Sequence, residues 1–258
     1  MGICFASRRL SSSAAAGNAI NVQAAVNAAS LSLTASAADI TVASGLTASS
    51  GDATLRAYEN LVINGAISAT GTLTGTAGGA VSVNANVGAN SVSLKANGGN
   101  LTLTFGVITG TTGITLATTG NFINNAGSDV LSVSSGKWLI YSTDPSKDTV
   151  GGLTPDFYQY AASIGTAVAT TGNGLLYSLA PTLSVVLSGT LEKSYDGTTA
   201  ATITAANATV SGLVNSDTVT LTASYASANA GSGITVTVAP ASRMAAKLYT
   251  AMPEPRRW

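Results

Sequence analysis

Residues 61–105 read LVINGAISATGTLTGTAGGAVSVNANVGANSVSLKANGGNLTLTF, and this stretch decides the fold. Short runs with an apolar residue at every second position (LVIN from Leu61, TLTG from Thr72, VSVN from Val81, VSLK from Val92, LTLT from Leu101) are separated by Gly, Asn, Ser and Ala. Alternation of this kind describes a strand with one buried face. Working outward, AINVQ from Ala19, LSLT from Leu31, DITV from Asp39 and TLRA from Thr54 precede the stretch, and ITLA from Ile114 and FINN from Phe122 follow it.

The runs fall into two interleaved series. One begins at Ile20, Ile40, Leu61, Val81, Leu101 and Phe122, with steps of 20, 21, 20, 20 and 21 residues. The other, Leu31, Leu55, Leu73, Val92 and Ile114, steps by 24, 18, 19 and 22. Two short strands with tight turns consume about twenty residues, the length of one rung of a β-solenoid. The expectation is about five rungs between Ile20 and Asn125, with Leu, Val and Ile stacked inward. Ser82, Asn84, Ser93, Thr102, Thr104 and Thr115 then face solvent, and neighbouring rungs satisfy each other's backbone groups.

Composition agrees with a structure held by backbone pairing. Only 9% of the 258 residues are charged, 11 basic against 11 acidic, so polarity comes from Ser, Thr and Asn. The zero net charge and the lack of a Lys/Arg cluster in the body of the chain argue against a nucleic-acid partner. Aromatics make up 5%, which calls for a thin core of small side chains. The single cysteine, Cys4, excludes an intramolecular disulfide. No run reaches the ~18 apolar residues of a membrane span. MGICFASRRL at the start lacks the continuous apolar stretch of a signal peptide, so any export signal is expected outside this chain.

Asn64, Asn84, Asn86, Asn97, Asn100, Asn124 and Asn125 fall near rung corners, where Asn tolerates turn geometry. They read as turn chemistry with an asparagine ladder. After Gly127 the text changes: residues 129–181 hold Trp138, Tyr141, Phe157, Tyr158, Tyr160 and Tyr177. This block reads as a cap over the end of the apolar stack, with an aromatic sugar-binding platform as the functional alternative. From Thr182 the twenty-residue period is lost, and the remaining strand candidates describe a separate small antiparallel module.

The expected architecture is therefore all-β: a right-handed parallel β-helix followed by a small β-sandwich-like module. Its parts are an irregular N-terminus (1–17), the solenoid (18–127), an aromatic cap or junction (128–181), the module (182–239) and a disordered or artefactual tail (240–258).

SGKWLIYSTDPSKDTVGGLTPDFYQY at 135–160 and GNGLLYSLAPTLSVVLSGTLEKSYDGTTAAT at 172–202 carry a resemblance. Together they resemble the junction in filamentous haemagglutinin family proteins, where a solenoid shaft gives way to YDG modules. Trp138, Tyr141, Asp144 and Pro145 mark the junction motif. Tyr195, Asp196, Gly197, Thr198 and Thr199 mark the module signature, with Tyr195 expected in the module core and Asp196 and Gly197 supplying a turn. The resemblance implies secretion through an outer-membrane transporter, an extracellular or cell-surface location, and a role in adhesion, aggregation or biofilm. The implied partners are host or sister-cell surfaces, including glycans or matrix proteins.

Chemistry has few candidates. With no histidine, Ser-His-Asp and Cys-His arrangements are excluded, and zinc lacks its commonest nitrogen ligand. Between Ile20 and Gly127 the acids are Asp39, Asp52 and Glu59. Glycoside hydrolysis needs two carboxylates ~5–10 Å apart, and Asp39 and Glu59, one period apart, are the only pair placed to stack. Gly75 and Asn97 open Gly-rich strings without the Lys of a phosphate loop, and Gly98-Gly99-Asn100 does not continue as a calcium repeat. No cofactor or metal is expected. The leading reading is a non-enzymatic structural or adhesive exoprotein segment; the alternatives are a carbohydrate-active β-helix enzyme or carbohydrate-binding module, and an ice-binding solenoid suggested by Thr72-Leu73-Thr74 and Thr102-Leu103-Thr104.

Overall fold

The computed structural model describes residues 12–168, 170–214, 218–244 and 248–250. Every assigned element among them is a strand. The chain divides into two compact units, Met1–Leu179 and Ala180–Trp258.

The first unit is a parallel β-solenoid of about eight turns. Its long face stacks Ser12–Ala16, Leu31–Ala35, Ala53–Ala57, Thr72–Ala77, Val87–Ala96, Ile108–Thr118, Lys137–Ser142 and Gly174–Tyr177. A second face stacks Ile20–Val22, Ile40–Val42, Leu61–Ile63, Val81–Val83, Leu101–Leu103 and Phe122–Asn124. Here Ile20, Ile40, Leu61, Val81, Leu101 and Phe122 are direct register partners, the same six positions that recur in the sequence.

Sequence reading missed a third face. Val26–Ala28, Leu46–Ala48 and Ile67–Ala69 stack in parallel, and the column continues through the first residues of Val87–Ala96 and Ile108–Thr118 to Leu131–Val133. Each turn thus carries three strands, where the spacing implied two. These strands are three residues long and usually end on Ala, too short and too small to show alternation. The drifting series is also corrected: Leu31 pairs with Ala53, and Leu55 pairs with Leu33 and Gly75. Reading by side-chain size picked the leucine and passed over the smaller residue in register.

Inward residues are sealed. Ile40, Leu55, Leu61, Leu73, Val81, Leu94, Leu101 and Leu103 are each 0% exposed. Each such side chain contributes roughly 1.5–3 kcal/mol by leaving water. Gly75 faces the same interior, where an added Cβ would lie 2.6 Å from Leu94 Cδ2 and 2.9 Å from Leu61 Cδ2. Its missing side chain makes room for two leucines.

The corners are tied by side chains that stand in for backbone. Asp39 Oδ1 accepts from Asn60 N–H at 2.8 Å and from its Nδ2 at 3.0 Å, and Asn60 Oδ1 accepts from Ala80 N–H at 2.9 Å. Asn100 Oδ1 accepts from Asn121 N–H at 3.0 Å, and Asn84 Nδ2 donates to Asn64 Oδ1 at 2.8 Å.

Two boundaries of the solenoid move. Ser12–Ala16, expected in an irregular N-terminus, pairs in parallel with Leu31–Ala35; residues 1–11 lie outside the described residues. Downstream the stack does not stop at Gly127. Trp138 and Ile140 take the inward register positions of Ile114 and Leu116, and Gly174–Tyr177 pairs with Lys137–Ser142. The aromatic block therefore builds the last turns as well as closing them. The chain runs past its own next position: Phe157–Tyr160 pairs outside Gly174–Tyr177, so the later strand is inserted between two earlier ones. Gly174 fits because the Phe157 ring occupies the space a Cβ would need.

The second unit contains two small antiparallel sheets. Ser184–Leu187 pairs with Ala208–Ser211, and Thr218–Tyr225 lies between Ala200–Ala201 and Val236–Met244. Alternation is clear in Thr218–Tyr225, but its inward residues are only half-buried and Ala208 is the one buried apolar residue described in this unit. The expected end at 239 is too early, because Val236–Met244 pairs as far as Met244 with Thr218. Residues 251–258 of the expected tail lie outside the described residues.

Candidate functional site

Three places hold the residues singled out from sequence: the signature turn of the second unit, the junction loop, and the corner of the shaft around Glu59.

Asp196 makes the expected turn: its Oδ1 accepts from Thr198 N–H at 2.8 Å and from Thr198 Oγ1 at 2.9 Å, while Gly197 adopts φ 75°. An added Cβ at Gly197 would meet nothing within 4 Å, so the glycine is there for its backbone conformation and not for space. Thr199 ties the turn to the sheet through its carbonyl, which accepts from Tyr225 N–H at 2.7 Å. Tyr195 departs from expectation: it is 71% exposed and does not enter a core. The sheets are too small to bury a tyrosine beside the turn.

The organiser of this turn is Lys193, which sequence reading passed over. Its Nζ lies 2.7 Å from Asp196 Oδ1 and donates at 2.9 Å to Thr198 O, Thr198 Oγ1 and Ala200 O. The same ammonium sits 5.8 Å from the centroid of the Tyr225 ring, within cation–π range. The Lys193 hydrogen bond, followed by those from Thr198, holds the Asp196 carboxyl below the usual carboxylate range. The Lys-x-x-Asp spacing in KSYD was the available signal, and it is short enough to arise anywhere.

In the junction, Trp138 and Tyr141 are buried, and burial pushes the Tyr141 phenol up. Trp138 N–H donates to Asn173 Oδ1 at 2.9 Å. Asp144 forms a second Asx turn, accepting from Ser146 Oγ at 2.8 Å and Ser146 N–H at 2.9 Å, and these bonds lower its pKa. Pro145 is half-buried in that turn. The ring of Tyr177 stacks on Tyr160 at 5.7 Å and on Tyr158 at 6.5 Å between centroids. Tyr160 and Tyr177 are fully buried. Rings packed in this way close a core; they do not offer the flat exposed platform considered for sugar binding.

Asp148, which its place in STDPSKD marks as an Asx turn at a strand end, bonds across the fold instead. Its Oδ1 accepts from Phe122 N–H at 2.8 Å and its Oδ2 from Ser142 Oγ at 2.6 Å, and burial raises its pKa to about 6. Only the fold reveals this, because the partners lie 26 and 6 residues away.

On the shaft, Tyr58, Glu59, Asn60, Gly78 and Gly79 line a shallow cleft. Its floor is bare because a side chain on Gly78 would collide with the Tyr58 carbonyl, and one on Gly79 would lie 2.5 Å from Asn60 Oδ1. Asp39 and Glu59 are not matched across the rungs: Asn60 caps Asp39, and Glu59 N–H bonds Ala38 O at 3.3 Å. On the long face, Ser32, Thr54, Thr74, Ser93 and Thr115 form one outward file, but the neighbouring file runs Thr34, Arg56, Thr76, Lys95, Ala117. The paired threonine array of an ice-binding surface is interrupted at three of these rungs, by Arg56, Lys95 and Ala117. Among the described residues no three His, Cys, Asp or Glu side chains gather as metal ligands, and no helix is long and apolar enough to cross a membrane.

The loop that Lys193 gathers is the YDG signature, and the sheets around it fall inside a family match. Residues 180–250 match the YDG domain. The match begins at the first residue of the second unit and includes Val236–Met244. The YDG domain here therefore supplies the antiparallel sheets, the Lys193 knot and the exposed Tyr195. No curated protein and no solved structure matches the chain.

Proposed function

We propose that the chain is a structural and adhesive segment of a large secreted bacterial surface protein similar to the filamentous haemagglutinin family. The observation that carries this reading is the sequence of parts: a parallel shaft with fully sealed rungs, followed by a YDG domain. A shaft of this kind extends by about 4.8 Å per turn with every rung bonded to its neighbours, which suits the projection of a binding element from a cell. No reacting side chain is needed for that role, and the segment is read as non-enzymatic. Its location would be extracellular, its export would use an outer-membrane transporter, and its partners would be host or sister-cell surfaces, including glycans or matrix proteins.

Display of the whole chain on a nonadherent cell tests this. Attachment to host cells, matrix proteins or sister cells is expected to rise above that of cells displaying an unrelated solenoid of equal length. No gain in any of the three assays contradicts the adhesive role and leaves a spacer.

A further inference from the structure

We propose that the cleft at the shaft corner is a subsite for one neutral pyranose unit of a cell-surface glycan, with Tyr58 as its platform and Glu59 as its acceptor. The proposal names a ligand within the adhesive reading and rests on it.

The corner is built from equivalent positions. Ser36, Tyr58, Gly78, Asn97 and Thr119 each follow the last residue of a long-face strand. Their N–H groups donate to the carbonyls of Ala16, Ala35, Ala57, Ala77 and Ala96, one rung back. Ser36, Asn97 and Thr119 also turn their side chains onto the stack: Ser36 Oγ donates to Ala16 O at 3.2 Å, Asn97 Nδ2 to Ala77 O at 2.9 Å and Thr119 Oγ1 to Asn97 O at 2.7 Å. Tyr58 is the exception. Its backbone is fixed like the others, but its ring is 66% exposed and its hydroxyl has no hydrogen bond among the described residues. A ring left in water forgoes the gain of burial and does nothing for its own rung.

Glu59 repeats the pattern. Its N–H donates to Ala38 O at 3.3 Å and its carbonyl accepts from Gly79 N–H at 2.6 Å, while its exposed carboxylate has no hydrogen bond or ion pair among the described residues. Asp39 and Asn60, on the same corner, use their polar atoms to tie neighbouring rungs. An aromatic ring and a carboxylate therefore stand side by side on a backbone locked by the stack, with no task inside it.

The ground beside them is clear. Gly78 and Gly79 lie one rung on, and Gly98 continues the bare floor in the next, where an added Cβ would lie 2.5 Å from Gly78 O. The Gly78 carbonyl accepts no hydrogen bond among the described residues and adds a second acceptor. The cleft has a volume of about 550 Å³, within the ~300–1,000 Å³ of small-molecule sites. Its chemistry selects the ligand. A pyranose has an apolar face for the tyrosine ring and hydroxyl donors at its edge for the Glu59 and Gly78 oxygens. No Lys or Arg lines the cleft, so an acidic sugar would bring like charge to Glu59 without compensation.

Titration of the full chain with neutral disaccharides of gluco, galacto and manno configuration, read by saturation-transfer NMR, tests the cleft. Millimolar binding of at least one is expected. Tyr58→Ala should weaken it ~10-fold, Tyr58→Phe should retain it, and Glu59→Gln should weaken it by a smaller factor. Phe105→Ala, which removes an equally exposed ring (68%) outside the cleft, should leave it unchanged. The substituted side chains are exposed, so amide exchange of residues 53–103 is expected to match the wild type in each variant. Absence of binding to all three sugars, binding of uronic acid disaccharides alone, or an equal loss in Phe105→Ala overturns the proposal. Such a result with cell attachment intact removes the cleft and leaves the adhesive reading standing; failed attachment in the display assay removes that reading itself.

Discussion

The shaft and the YDG domain are both made of short strands rich in Val, Leu, Thr and Ser, yet they bury these residues very differently. In the shaft Leu61 lies between Ile40 and Val81 in register and is 0% exposed. In the YDG domain Leu221 occupies an inward position of Thr218–Tyr225 and remains half-buried. Repetition accounts for the contrast. A parallel stack covers each apolar residue with its counterparts above and below, so small side chains suffice. A single antiparallel sheet has no such neighbours and leans on polar ties, of which Lys193 gathers the most.

The largest expected effect breaks the shaft side of the comparison. Leu61→Ala should destabilise the solenoid by about 2–5 kcal/mol through lost burial and a cavity, read by denaturant unfolding of the first unit. Leu221→Ala, which loses far less burial, should cost below about 1 kcal/mol. Equal losses at the two sites would remove the distinction. A smaller effect is expected at the corner. Asn60→Ala removes the Nδ2 bond to Asp39, which keeps the Asn60 backbone N–H, and leaves Ala80 N–H without its acceptor; it should cost about 1–3 kcal/mol, with faster amide exchange confined to residues 80–81. The smallest effect sharpens the YDG side. Lys193→Met should return the Asp196 carboxyl toward the usual carboxylate range in an NMR titration. In the wild type that carboxyl is depressed, so its contribution is present above pH ~4 and is lost as pH falls toward about 2.

What could be read from the sequence follows the same divide. The series from Ile20 to Phe122 was legible because one residue in every turn must return to the same interior position, and all six are large enough to see. Leu31 to Ala53 was not, since an alanine meets the packing requirement without announcing it. The third face was hidden for the same reason. Trp138 and Tyr141 stood out as a change in composition, but their aromatic size suggested a lid and concealed that Trp138 continues the column of Ile114. In the YDG domain the Asp196–Gly197 turn was legible because its bonds are local. The exposure of Tyr195 depends on how little sheet surrounds it, and the Asp148 contacts depend on which rung lies beneath the loop. Neither is encoded in nearby residues.

The shaft stands on in-register parallel stacking, one rung per repeat. Its most direct test is a set of spin-label distances along one outward file of the second face, Asn21, Thr41, Val62, Ser82, Thr102 and Ile123. With cysteines substituted at Asn21 and Thr102, then at Asn21 and Ile123, backbone separations of ~19 Å and ~24 Å are predicted, one ~4.8 Å step apart. Distances that fail to lengthen by one step between the two pairs would contradict the stack.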